Sequence, residues 1–164
     1  MATTGTKFST ILNAVKAKII ADAILADGDC YIAVRMNPPA QNQRKALVIV
    51  PLYQQADPKA SLGHGRCARL KKARINIYYR HETALDQEYQ DDLWAAGTNG
   101  YYDIIDKLED AFDLWMPQDN DDDFLLIEPA QIVMDNEPRK KYADHPQGEG
   151  MIEFEVQFKA WRTT

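Results

Sequence analysis

Residues 151–161, MIEFEVQFKAW, alternate without a break, with Ile152, Phe154, Val156, Phe158 and Ala160 set against Glu153, Glu155, Gln157, Lys159 and Trp161. A period of two belongs to a strand with one face on a core and the other toward water. Leu70 to Arg80 repeats it, opposing Ala73, Ile75, Ile77 and Tyr79 to Lys72, Arg74, Asn76, Tyr78 and Arg80. Two half-buried strands need a layer over their apolar side, and the rest of the chain must supply it.

Helices supply it. Phe8, Ile11, Leu12, Val15, Ile19 and Ala23 fall on one stripe of a helix that Thr6 or Ser9 is placed to cap. A second stripe, Ile104, Ile105, Leu108, Ala111, Phe112 and Trp115, follows the polar cap Thr98-Asn99-Gly100 and is stopped by Pro117. Turn residues from Ala26 to Asp29 lead into a strand from Cys30 to Met36. Ala46 to Tyr53 is apolar enough to pack on both faces, with Pro51 marking its edge or end, and it pairs with Leu70–Arg80 as a hairpin. Phe124 to Met134 reads as extended, with Pro129 indicating an edge or a bulge.

Between these elements, Gln54 to Arg66 and Asn136 to Gly150 read as long polar loops. His81 to Gly97 is acidic and irregular, with a short helical turn around Tyr89 to Ala95. The expectation is a single α+β domain over residues 1–164. Its mainly antiparallel sheet has about four to five strands, with two main helices packed on one face.

Composition agrees with such a domain. The 164 residues are 45% hydrophobic and 27% charged, an ordinary globular balance. Nineteen basic against twenty-five acidic residues give a net charge of −6, which argues against a chain that condenses as a whole on nucleic acid or an anionic membrane. Cys30 and Cys67 are too few for a disulfide framework and fit a reducing cytoplasm. The opening residues lack the pattern of a signal peptide, and no apolar run approaches the roughly 20 residues that span a bilayer.

Signals of catalysis are weak. Asp119, Asp121 and Asp123 match the first ligand positions of a calcium loop, but Phe124 stands where glycine is needed and Ala130 where the bidentate glutamate belongs. His64, His81 and His145 are scattered over segments read as exposed loops, and His64 with Cys67 cannot close a zinc site alone. Neither a nucleophile elbow nor a phosphate-binding glycine loop is present. The expectation is therefore no enzyme, no cofactor and no metal. Loops from distant parts of the chain could still assemble titratable groups, so enzymes stay a competing class.

One stretch has a distinctive charge. Lys59 to Arg80 holds His64, Arg66, Arg69, Lys71, Lys72, Arg74 and Arg80 with no carboxylate. It reads either as the guarded edge of a hairpin or as a docking surface, for acidic stretches of a neighbouring copy such as Asp86 to Asp92 or Asp119 to Asp123, or for nucleic acid passing nearby. Candidate interface residues are Lys59, His64, Arg66, Arg69, Arg74 and Arg80 on the basic side, and Asp91, Asp92, Asp121 and Asp122 on the acidic side.

The order FSTILNAVKAKIIADAIL, ALVIVPLY, polar loop, ARINIYYRH, YYDIIDKLEDAFDLW, FLLIEP and MIEFEVQFKAW resembles the lambda-like tail terminators of tailed bacteriophages, also called tail completion or head-tail joining proteins. The likeness runs from Phe8 to Trp161 and is one of architecture. It implies a small α+β subunit that forms a hexameric ring at the head-proximal end of the tail tube, ends tube polymerisation and joins tail to head. Implied partners are other copies of the chain, the tail tube protein, the head connector or adaptor, and genomic DNA passing through the lumen without sequence-specific binding; no membrane is involved. Its location would be the virion neck, after assembly in the host cytoplasm. A head-closure or adaptor subunit of the same connector, or an unrelated cytosolic binding module, are the competing readings.

Overall fold

The computed structural model describes residues 6–33, 45–56, 68–82, 100–120, 122–141 and 147–161. In chain order they form helix α1 (Phe8–Ala21), a 3-10 turn (Asp27–Asp29), strands β1 (Cys30–Ile32), β2 (Lys45–Ala56) and β3 (Ala68–Glu82), helix α2 (Tyr101–Phe112), and strands β4 (Glu128–Lys141) and β5 (Gln147–Trp161). The strands make one sheet in the order β1-β2-β3-β5-β4. β1 runs parallel to β2 and every other neighbour is antiparallel, so the fold is α+β with a mixed, mostly antiparallel sheet.

Strand parity decides where the core lies. Leu47 and Ile49 of β2, Ala73, Ile75, Ile77 and Tyr79 of β3, and Ile152, Phe154, Val156 and Phe158 of β5 line one side of the sheet and are buried. Onto that side α1 packs Ile11, Leu12, Val15 and Ile19, and α2 packs Tyr101, Ile104, Leu108 and Phe112. Rings fasten the layers together, with Phe112 stacked on Phe154 at 5.1 Å, Phe8 on Phe158 at 5.8 Å and Tyr79 on Tyr101 at 5.8 Å between centroids. Aromatic pairs of this kind add about 1 kcal/mol each beyond their buried area.

The turn after α1 is a Schellman motif. Ala23 N–H donates to Ile20 O and Ile24 N–H to Ile19 O, with Ala23 held at φ 53°. Ala23 is therefore outside the helix and exposed, not on its apolar stripe as its spacing suggests. Neither Thr6 nor Ser9 caps α1; Lys7 occupies the N-cap and makes no side-chain bond. At α2 the N-cap is Gly100, and the helix ends at Phe112, before Pro117, where Leu114 takes φ 55°.

Other expectations also change. Of Ala46 to Tyr53, expected to pack on both faces, Ala46 to Val50 is buried, whereas Leu52 at the register shift is 41% exposed. Pro51, however, lies inside β2, just past the residues that β1 covers and at a register shift between Pro51 and Tyr53. The segment 136–150 is not one loop: β4 continues to Lys141 and β5 begins at Gln147, joined by a ladder in which Lys140 opposes Gly148. His81 is not on an exposed loop but in β3, 4% exposed, continuing the buried parity of Ile77 and Tyr79. β4 is an edge strand with three register shifts, in keeping with the bulge expected near Pro129.

Candidate subunit interface

Of the residues expected to carry an interface, Lys59, His64, Arg66, Asp91, Asp92 and Asp121 lie outside the described residues. Arg69, Arg74 and Arg80 lie along β3, where Arg69 opposes Ala160 and Arg80 opposes both Ala46 and Glu149. From Arg69 to Arg80 the strand advances by eleven residues, or roughly 36 Å at 3.3 Å per residue. The basic stretch is thus spread along a strand instead of gathered in a single patch.

Arg74 already has partners within the chain. On the face turned away from the helices its Nη1 lies 2.9 Å from Glu153 Oε1 and its Nε 3.6 Å from Glu155 Oε2, while Lys72 Nζ reaches Glu155 Oε1 at 3.4 Å. The Glu153 side chain is only 9% exposed, so the cation compensates a carboxylate that would otherwise be costly to bury. Beside this ladder, the Asn76 amide nitrogen contacts Met151 Sδ, and its Oδ1 is buried without a hydrogen-bond partner among the described residues. Lys71 is placed differently. It donates to the neutral Gln54 side chain at 3.3 Å, near the end of the β2–β3 hairpin.

The acidic turn holds its own backbone. Asp119 N–H donates to Asp123 O at 2.9 Å, Asp123 N–H to Asp119 Oδ1 at 3.0 Å and Asp122 N–H to Asp119 O at 3.3 Å. Asp122 sits at φ 59°, a conformation that aspartate tolerates better than most residues, and is exposed. These bonds make the carboxylates a solvated rim, and among the described residues no three His, Cys, Asp or Glu side chains could hold a metal ion.

Four exposed apolar residues were not singled out by their pattern. Leu114 is 67%, Phe124 58%, Ile127 48% and Leu52 41% exposed. The first three belong to one folded-back segment in which Leu125 N–H donates to Pro117 O, Ala130 N–H to Trp115 O, and Gln118 bridges Phe124. Their sequence signal is the placing of apolar residues directly against carboxylates, Leu114 after Asp113, Phe124 after Asp123 and Ile127 before Glu128, outside either helix stripe.

Two groups are inert by burial. Cys30 is 1% exposed, and loss of solvation pushes its thiol up to about 11. Tyr79 is raised as well, chiefly by burial and then by neighbouring Tyr101, and its hydroxyl lies 3.2 Å from His81 Nδ1. Both therefore stay neutral at physiological pH, behaving as core groups.

No protein-family model matches the chain, and a search of curated proteins returns no match either.

Proposed function

We propose that this chain is a ring-forming structural subunit of a phage neck, a tail terminator that ends tube growth and joins tail to head. The observation that carries the reading is a sheet longer than its helices. β3 and β5 have 15 residues each, which span roughly 50 Å. The 14 residues of α1 and 12 of α2 reach only about 21 and 18 Å. Strands of this length are nearly three times the usual five to six residues. The described helices meet β5 from Gly150, under Tyr101, to Phe158, under Phe8, and the strand runs on past both ends of that contact. Surface of that kind suits contact with neighbours better than the enclosure of a small substrate.

In this reading the chain works by assembly and not by catalysis, with no cofactor. Its partners are other copies of itself, the tail tube and the head connector, and its place is the virion neck. A net charge of −6 lets DNA pass through a ring without condensing on its wall. The test is the mass of the purified chain by light scattering at low and moderate salt, with negative-stain images and a tube-capping assay on the same sample. Six-subunit rings that cap tail tubes support the proposal. Failure to bind and cap tubes under conditions where they polymerise rejects it, and association with heads alone selects the adaptor reading.

A further inference from the structure

We infer that copies of this chain bind one another side by side, through an acidic apolar knuckle on one copy and the basic end of the β2–β3 hairpin on the next. This deepens the ring proposed above and rests on it. The knuckle, residues 113–128, presents Leu114, Phe124 and Ile127 to solvent, and carries Asp113, Asp119, Asp122, Asp123 and Glu128 with no basic residue. A segment that exposes apolar side chains and carries one sign of charge suits a partner that supplies an apolar contact and the opposite charge. Near the end of the β2–β3 ladder, exposed Leu52 at the β2 bulge offers the apolar contact, and Lys71, whose bond within the chain is to neutral Gln54, offers the charge; Lys72 points to the opposite face of the sheet and is paired with Glu155.

Register places the two surfaces at one level. Glu128 opposes Gln157, Gln157 opposes Lys72, and Lys72 opposes Gln55, so a single row crosses the sheet from the β4 edge to the β2 edge. β1 pairs with Leu47 to Ile49, so among the described residues β2 is the outer strand at this level. A head-to-tail contact closes into a ring only when its two halves lie at the same height along the ring axis, and opposite ends of one row meet that condition when the axis runs along the strands.

Backbone pairing between copies is the obvious rival, and both edges oppose it. β4 shifts register between Glu128 and Gln131, Ile132 and Met134, and Asn136 and Arg139, while the outer part of β2 carries Pro51 and a bulge. Interrupted edges are poor templates for strand addition, so side chains must carry the contact.

The full-length chain is studied by light scattering and sedimentation over a range of concentrations, in low and high salt. Self-association that weakens with salt is expected. Phe124→Asp should weaken it by about thirtyfold, as loss of a central aromatic anchor does. Asp123→Lys and Lys71→Glu should each weaken it, and the two together should restore it, because the exchanged charges then meet across copies. Circular dichroism and melting establish that each variant is folded, and Phe124→Ala replaces any that is not. A chain that stays monomeric at every concentration overturns the inference, as does association indifferent to Phe124 or a double variant no better than the singles. Tube capping by the unaltered chain is scored separately, so that its absence counts against the terminator reading and not against this contact.

Discussion

Arg74 and Glu153 are joined on a diagonal across β3 and β5, with Nη1 2.9 Å from Oε1, although the residue directly opposite Arg74 is Glu155. One guanidinium thereby serves two carboxylates, and Lys72 shares the second. Removing the cation alone strands the buried Glu153, so Arg74→Ala is expected to cost about 3 kcal/mol. Replacing both residues, as in Arg74→Met with Glu153→Leu, should recover most of that loss because no charge is left uncompensated. Urea unfolding of the unaltered chain, Arg74→Met, Glu153→Leu and the double variant measures the coupling. An additive double variant would mean that the pair is not coupled.

The alternating strands were legible because their pattern coincides with burial: Ala73 to Tyr79 and Ile152 to Phe158 point alternately into and out of one core. The outer part of β4 was not. Its residues Asn136 to Lys141 have no apolar alternation, and that part of the strand is recognised by its backbone ladder to β5, which leaves no trace in composition. Parallel pairing of β1 with β2 is likewise a tertiary choice. His81 continues the parity of Ile77 and Tyr79, but a polar side chain beside an acidic, irregular stretch carries the composition of a loop. For the proposed interface, charge is legible and placement is not, because only register reveals that Glu128 and Gln55 lie on one row of the sheet.

Ala23 holds the left-handed position of the Schellman turn, at φ 53°. Glycine occupies this position without the Cβ penalty of about 1–2 kcal/mol, partly offset by its greater freedom when unfolded. Ala23→Gly should therefore stabilise the chain by up to about 1 kcal/mol. The residue is exposed, so no packing is lost. A higher melting temperature is the expected result.

Gly150 is the reverse case. A Cβ built there would collide with the Tyr101 hydroxyl and press on the Ile105 side chain, because the first turn of α2 rests directly on β5. Gly150→Ala should cost about 2–3 kcal/mol, the scale of overpacking in a tight core. Gly28, with no heavy atom within 4 Å of an added Cβ, is the control, and Gly28→Ala should leave the melting temperature nearly unchanged.

Alkaline stability tests the buried thiol. The Cys30 pKa rises from an ordinary 9.0 to about 11, mainly through burial, so the folded chain holds a proton that the unfolded chain releases earlier. Between those values the folded state binds more protons, and stability falls as pH rises. The contribution is thus complete below pH 9 and lost progressively as the pH passes through about 11. Tyr79, raised in the same direction, adds to the fall above its ordinary value of 10.0. Melting temperature followed upward from neutral pH should decline through this window, and Cys30→Val should make the decline shallower without abolishing it. A valine variant with an unaltered slope would show that the thiol is not linked to folding.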